Sequence, residues 1–160
     1  MNTIKINPKK DLIFDIKARE MCKHCKRYGK KATCPPYIES VEYYSKLFPT
    51  YQHGVFYYES FSVNDDAMKI GRESSLIIYN KISSERNALF AAGHYFIMGL
   101  GAGSCKLCKK CTFPCPMPER SLIPIEATGI DVVKTMNRLG VVVSFPVDRT
   151  IFRIGSLFYD

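Results

Sequence analysis

Between Val55 and Val63 the chain reads VFYYESFSV, a crowd of aromatic and β-branched residues that predicts a strand on a half-buried sheet. The apolar period then changes. Ile70, Ile77, Ile78, Ile82 and Leu89 keep one helical face apolar, Asn64 and Asp65 offer an N-cap, and Gly93 suits the stop. A further apolar run, Tyr95 to Leu100 (YFIMGL), reads as a buried strand feeding Gly99, Gly101 and Gly103. Strand, helix, strand predicts a parallel pair with the long helix crossing over the sheet.

Upstream, Pro35-Pro36 blocks helix until Glu39 to Phe48, where Val41, Tyr44, Leu47 and Phe48 recur at helical spacing before Pro49. Downstream, Asp131 caps a helix with Val132, Val133, Met136 and Leu139 inward and Gly140 at its end. The strand Val141 to Phe145 and a final strand within Ile151 to Tyr159 follow. The expectation is one α/β or α+β domain over residues 1–160, with about four strands in a mixed sheet and a long crossover helix. Loops 22–36 and 101–118 form its cysteine-rich metal-binding lobe.

Composition narrows the class. A chain of 160 residues buries one core and leaves little room for two, and 46% hydrophobic against 24% charged residues excludes disorder. No stretch approaches the ~20 apolar residues of a membrane span. The first residues, MNTIKINPKKDLIFDIKARE, lack the apolar core and cleavage site of a secretory leader, so a cytoplasmic setting is expected. There a disulfide framework is disfavoured, and the odd count of seven cysteines would leave one unpaired, so metal ligation is the better reading.

Cys105-Lys-Leu-Cys108-Lys-Lys-Cys111-Thr-Phe-Pro-Cys115-Pro116 has the C-x2-C-x2-C-x3-C-P spacing of two-cluster ferredoxins. Two residues between cysteines let a tight loop set three thiolates on three corners of one 4Fe-4S cubane. The fourth cysteine of that run, followed by proline, ordinarily serves the other cluster. A second group, Cys22-Lys-His-Cys25 and then Cys34-Pro35-Pro36, lies roughly eighty residues upstream. The ferredoxin analogy puts Cys34 with Cys105, Cys108 and Cys111, leaving Cys22, Cys25 and Cys115 for a second site. The local pairing, Cys105, Cys108, Cys111 and Cys115 on one cubane and Cys22, Cys25 and Cys34 on another site, stays open beside it. One cluster is expected, with ligands enough to begin a second. Zinc is the alternative for Cys22, Cys25 and Cys34; an overlapping C-x2-C-x2-C crowds a single small ion.

Of the histidines, His24 lies inside the Cys22 to Cys25 turn and is the one candidate to complete a three-thiolate site, while His53 and His94 fall at strand edges. The formal charge of +8 assumes neutral thiols, and each four-thiolate cubane subtracts roughly two charges. Lys23, Lys26, Arg27, Lys30, Lys31, Lys106, Lys109 and Lys110 crowd the cysteines and offset that charge, so nucleic acid is not the expected partner. Gly99-Leu-Gly101-Ala-Gly103 fails the dinucleotide fingerprint because it opens into cysteines rather than a helix, and serves either close approach of backbone to a cluster or a plain turn. The spacing for radical S-adenosylmethionine chemistry is missing, and Glu126 and Asp131 read as helix-terminus residues.

Cys34-Pro35-Pro36-Tyr37, Gly99-Leu-Gly101-Ala-Gly103-Ser104-Cys105-Lys-Leu-Cys108 and Ile125-Glu126-Ala127-Thr128-Gly129-Ile130-Asp131-Val132 together resemble an archaeal and anaerobic-bacterial family of predicted metal-binding proteins of unknown function. The resemblance runs from about Cys22 to Asp160. It departs before the third motif, where Arg120-Ser-Leu-Ile-Pro124 stands in place of an Arg-Pro-Ser stretch. It implies metal ligation by the matching cysteines and an anaerobic, cytoplasmic setting. Electron transfer with a protein redox partner, or service to a larger redox or methyl-transfer system, is the leading functional expectation. An enzyme using an open cluster iron as Lewis acid, and a zinc-binding nucleic-acid or protein-interaction module, are its alternatives.

Overall fold

The computed structural model describes residues 1–63, 66–143 and 149–160. Among the described residues, five strands form one mixed sheet in the order β1-β2-β5-β3-β4. They are β1 (Asn2–Ile6), β2 (His53–Ser62), β3 (Ile97–Gly101), β4 (Ile123–Pro124) and β5 (Thr150–Tyr159). The helices are α1 (Ile16–Glu20), α2 (Val41–Leu47), α3 (Ala67–Ala91) and α4 (Val132–Arg138), with 3-10 turns at Met21–His24, Phe48–Thr50 and Ile125–Thr128.

β5 is the centre of the sheet. It runs antiparallel to β2 over its whole length, from Thr150 opposite Ser62 to Tyr159 opposite His53, and antiparallel to β3 from Ser156 opposite Leu100 to Tyr159 opposite Ile97. The strands on either side of α3 are therefore parallel in direction, as the strand-helix-strand pattern predicts, but they are not neighbours: β5 lies between them. The expected strand Val141 to Phe145 does not form in its first three residues. Asn137 engages both the N–H and the C=O of Val143 through its side-chain amide, at 2.9 and 3.3 Å, which occupies the groups a ladder would need. The last two residues of that expected strand lie outside the described residues.

Alternation along the strands divides the core. Phe56, Leu100, Ile154 and Phe158 face one side, where Tyr44, Phe48, Ile130 and Met136 cover them. Tyr57 and Leu157 face the other, under Ile78 and Ile82 of α3 and Leu122. Ile77, expected to share that face, is 46% exposed, since its neighbour Ile78 already takes the inward position. The expected caps Asn64 and Asp65 lie outside the described residues; the cap observed is Asp66, whose carboxylate accepts from the Lys69 N–H at 2.9 Å. Gly99 allows close packing rather than cluster approach: a Cβ there would stand 3.0 Å from both Ile82 and Leu122. Among the described residues no helix is long and apolar enough to cross a membrane.

Gly129 ends the Ile125–Thr128 turn at φ +89°, and a Cβ on it would meet Val41 side-chain carbons at 2.5 and 2.7 Å. Gly140 is also left-handed, φ +81°, but has open space around it. Gly140→Ala is thus expected to cost about 1 kcal/mol of stability, from backbone strain alone. Gly129→Ala should exceed about 2 kcal/mol because overpacking adds to the strain. Denaturant midpoints of the two variants check the difference, and equal losses would contradict it.

Candidate metal centre

The sheet delivers one cysteine loop directly. β3 ends at Gly101, and Ala102 to Ser104 turn the chain into Cys105. The other loop follows α1, with Cys22 inside the Met21–His24 turn and the Cys25 N–H donating to the Cys22 carbonyl at 3.0 Å. The two loops touch, and two of their contacts are specific. The Ala32 N–H donates to Cys111 Sγ at 3.4 Å, and the rings of Tyr37 and Phe113 meet at 4.4 Å between centroids. Both loops contain a cis X–Pro bond, Pro35-Pro36 in the first and Phe113-Pro114 in the second.

All seven cysteines are free thiols, and they fall into two sets by the space they line. Cys105, Cys108, Cys111 and Cys115 surround one small void, closed by Thr33, Leu107 and Met117. Cys22, Cys25 and Cys34 line one end of a separate cavity of about 940 Å³. Cys34, which the ferredoxin analogy assigns to the first set, is on the cavity side, and Cys115 is on the void side. Among the described residues no three His, Cys, Asp or Glu side chains stand as a ready cage for a single metal ion.

Several contacts fix the cavity wall. Phe14 and Ile130 form an isolated antiparallel bridge, with Asp15 N–H to Gly129 O and Asp131 N–H to Ile13 O both at 2.8 Å. That bridge sets α1 against the Ile125–Thr128 turn. The Arg19 guanidinium then binds the Ala127 carbonyl at 2.9 Å and the Glu39 carbonyl at 2.7 Å, joining α1, the turn and the segment beyond Cys34. Asp131 caps α4 as expected, accepting from the Lys134 N–H at 2.9 Å. Glu126 does more than sit at a helix start, since it lines the cavity with the three cysteines.

Burial is the main force on the titratable groups here. It pushes the Cys22 thiol up to about 11, with Glu126 adding to the rise, and the Cys34 thiol up to about 11, with Cys22 and Cys25 adding. The Glu126 carboxyl is raised by burial, opposed by its own backbone N–H, Arg153 and Lys106. Lys106 and Arg153 are both pulled down by burial, and the charge of Glu126 opposes each shift. Arg153 is held rigidly, donating from Nε to Ser74 Oγ at 3.0 Å and from Nη2 to the Gly71 carbonyl at 2.9 Å.

Glu126, Arg153 and Arg19 escape sequence reasoning as site residues. The available signal was a lone charge inside an apolar run: Ile-Glu126-Ala in one case, Ile-Phe-Arg153-Ile in another. His24 is exposed and is not among the cavity-lining residues. His53 and His94 pack on Tyr159, beside Ile97 at the start of β3, whereas the cysteines follow its end.

In the metal-free protein, the thiols of Cys22 and Cys34 titrate at 9.0 once unfolded but near about 11 when folded. Between those values the unfolded chain binds fewer protons, so stability is fully present below pH 9 and falls as pH rises toward 11. The Cys22→Ser/Cys34→Ser double variant should show a shallower decline of its urea midpoint across that range. A slope identical to the unaltered protein would contradict the burial of these thiols.

No curated protein and no solved structure matches the chain. One family does, described as predicted metal-binding protein (DUF2284), over residues 5–158. With nearly the whole chain matched and two cysteine sets brought together in one lobe, the protein belongs to this family of predicted metal-binding proteins.

Proposed function

We propose that the chain is an iron–sulfur protein whose stable site is a 4Fe-4S cubane held by Cys105, Cys108, Cys111 and Cys115, working in electron transfer. One observation carries this reading. The four cysteines at ferredoxin spacing all line a single small void, and the other three line a different one. That grouping supports local ligation over the exchanged pairing, with Cys22, Cys25 and Cys34 left for the second site.

The residues around the void suit such a group. Four thiolates meet its charge, and the Ala32 N–H already donates to Cys111 Sγ. Thr33 is buried at the same void, and its hydroxyl also bears on Cys34, opposing the rise that burial gives that thiol. A bound cubane supplies a one-electron carrier. The chain then screens it with Leu107 and Met117, which keep water from the sulfurs and so bear on its potential. Lys23, Lys26, Arg27, Lys30, Lys109 and Lys110 are exposed on the two loops. They form a basic rim suited to an acidic redox partner, whose encounter such charges would steer.

The second reading, an enzyme that uses an incompletely ligated cluster as Lewis acid, is favoured by the cavity of about 940 Å³ beside Cys22, Cys25 and Cys34. Organic substrates fit spaces of this size.

Anaerobically prepared protein is expected to hold iron and acid-labile sulfide in near-equal amounts, and stoichiometric zinc without sulfide would overturn the reading. Under local ligation, Cys115→Ser should deplete the ferredoxin-type site and Cys34→Ser the three-cysteine site; the reverse pattern would restore the exchanged pairing. Cys108→Ala should lower the thermal midpoint along with the iron content, because binding energy at such a site is folding energy.

A further inference from the structure

Half of one edge of β5 has no strand beside it. The Val63 N–H donates to the Arg149 carbonyl at 2.7 Å, which fixes the phase of the β2–β5 ladder. Backbone groups of successive residues in an antiparallel pair point to opposite edges. Ile151, Arg153 and Gly155 therefore turn theirs to β2, while Thr150, Phe152, Ile154, Ser156 and Phe158 turn theirs the other way. On that side β3 meets Phe158 through Met98 and Ser156 through Leu100, and there the register ends. Ala102 would come next, opposite Ile154, but the chain leaves the sheet after Gly101 on its way to Cys105. Among the described residues no backbone bond joins Ala102 to Ile154 or reaches Phe152 from that side.

The space that β3 vacates is part of the cavity of about 940 Å³. Thr150 to Ile154 line it, as do Ala102 to Ser104 where β3 diverges, and Ile130, Val132 and Val133 add apolar wall. Ile154 is only 6% exposed, a setting in which unpaired backbone groups are costly. The charged residues of the lining balance, Asp15, Glu126 and Asp131 against Lys17, Lys134 and Arg153. Lys134 already binds Asp15 at 3.0 Å and Asp131 at 2.9 Å, and Arg153 is committed to Ser74 and Gly71. Charge complementarity thus favours an uncharged occupant. What the edge calls for is N–H and C=O groups repeating every second residue, which an extended peptide supplies along its whole length.

We infer that the cavity is a peptide-binding site, in which an uncharged, largely apolar segment of another polypeptide adds to β5 as a short strand along Phe152 and Ile154. The segment continues the β3–β5 ladder where β3 leaves it, and its alternate side chains meet the apolar wall. Because Cys22, Cys25 and Cys34 line the same cavity, the bound segment is held beside the three-cysteine site. The inference needs no particular metal at those cysteines and stands or falls apart from the iron–sulfur reading.

Amide hydrogen exchange of the full chain, resolved by residue, tests the edge first. Protection should alternate along β5, with Ile151 and Arg153 slow and Phe152 and Ile154 faster; uniform protection would show the edge already covered and overturn the inference. Binding is then read with labelled pentapeptides Val-Thr-Xaa-Thr-Val, amidated, with Ala, Val, Leu or Phe at the centre, titrated to about 1 mM. At least one should bind and slow exchange at Phe152 and Ile154. N-methylation of its odd or of its even residues blocks one edge at a time, so one set should bind about tenfold more weakly or worse while the other binds as the parent does. Phe152→Pro removes an N–H that β2 does not use, so its thermal midpoint should stay near that of Phe152→Ala while peptide binding is lost; Ile151→Pro, which breaks the bond to Phe61, should lower the midpoint much further. No binding by any of the four peptides overturns the inference, as do two N-methylated sets that bind alike. Protection of Phe152 and Ile154 that grows with protein concentration in the absence of peptide would give the edge to a second copy of the chain, and overturns it too.

Discussion

The insertion of β5 between β2 and β3 is the constraint on which the rest of the molecule depends. Its register with β2 runs through ten residue pairs, and its register with β3 holds the strand that delivers Cys105. Without β5 the sheet would separate into a β1–β2 hairpin-like ribbon and a β3–β4 pair too small to stand alone. The pairing of β5 with β2 joins segments far apart in sequence, and such long-range pairing is slow relative to local helix formation. The same strand also serves the site. Its half nearer Thr150 extends past the end of the β3 ladder, and Thr150 to Ile154 line the cavity beside the three cysteines.

Around that sheet, the metal lobe is assembled by backbone contacts rather than by a hydrophobic core of its own. Cys34 is buried, but the other six cysteines are partly or fully exposed, and the contacts between the loops include one N–H···S hydrogen bond and one pair of rings. Arg19 supplies the firmest tie, one guanidinium binding carbonyls from two distant segments. Its five donors in a fixed fork suit it to this task in a way that lysine would not. A metal held by these cysteines would add order to a lobe built this way, since binding energy at such a site is folding energy.

Burial dominates the electrostatics of the lobe. It holds the thiols of Cys22 and Cys34 protonated at neutral pH, so a metal bound there would have to displace protons. Lys106 and Arg153 are partly buried positive groups held at a cost in solvation, and Glu126 offsets part of that cost. The outer lysines stay in water, where their charges add little to the stability of the fold.

Local chemistry made much of this visible in the residues alone. The helices α2, α3 and α4 follow from apolar spacing with Pro49, Gly93 and Gly140 as stops, the strands β2, β3 and β5 follow from aromatic and β-branched runs, and the C-x2-C spacings mark the metal lobe before any fold is known. β1 and β4 escaped because an edge strand of alternating polar residues and a two-residue strand carry almost no pattern. The strand expected at Val141 was apolar enough, but Asn137 took its backbone groups, a contact no local pattern contains. The order of strands, the division of seven cysteines into four and three around separate spaces, and the place of Glu126 among them were decided only by the tertiary structure. Spacing along a chain sets what one loop can clasp; which distant side chains share a cavity depends on how β5 and the Phe14–Ile130 bridge bring separate loops together.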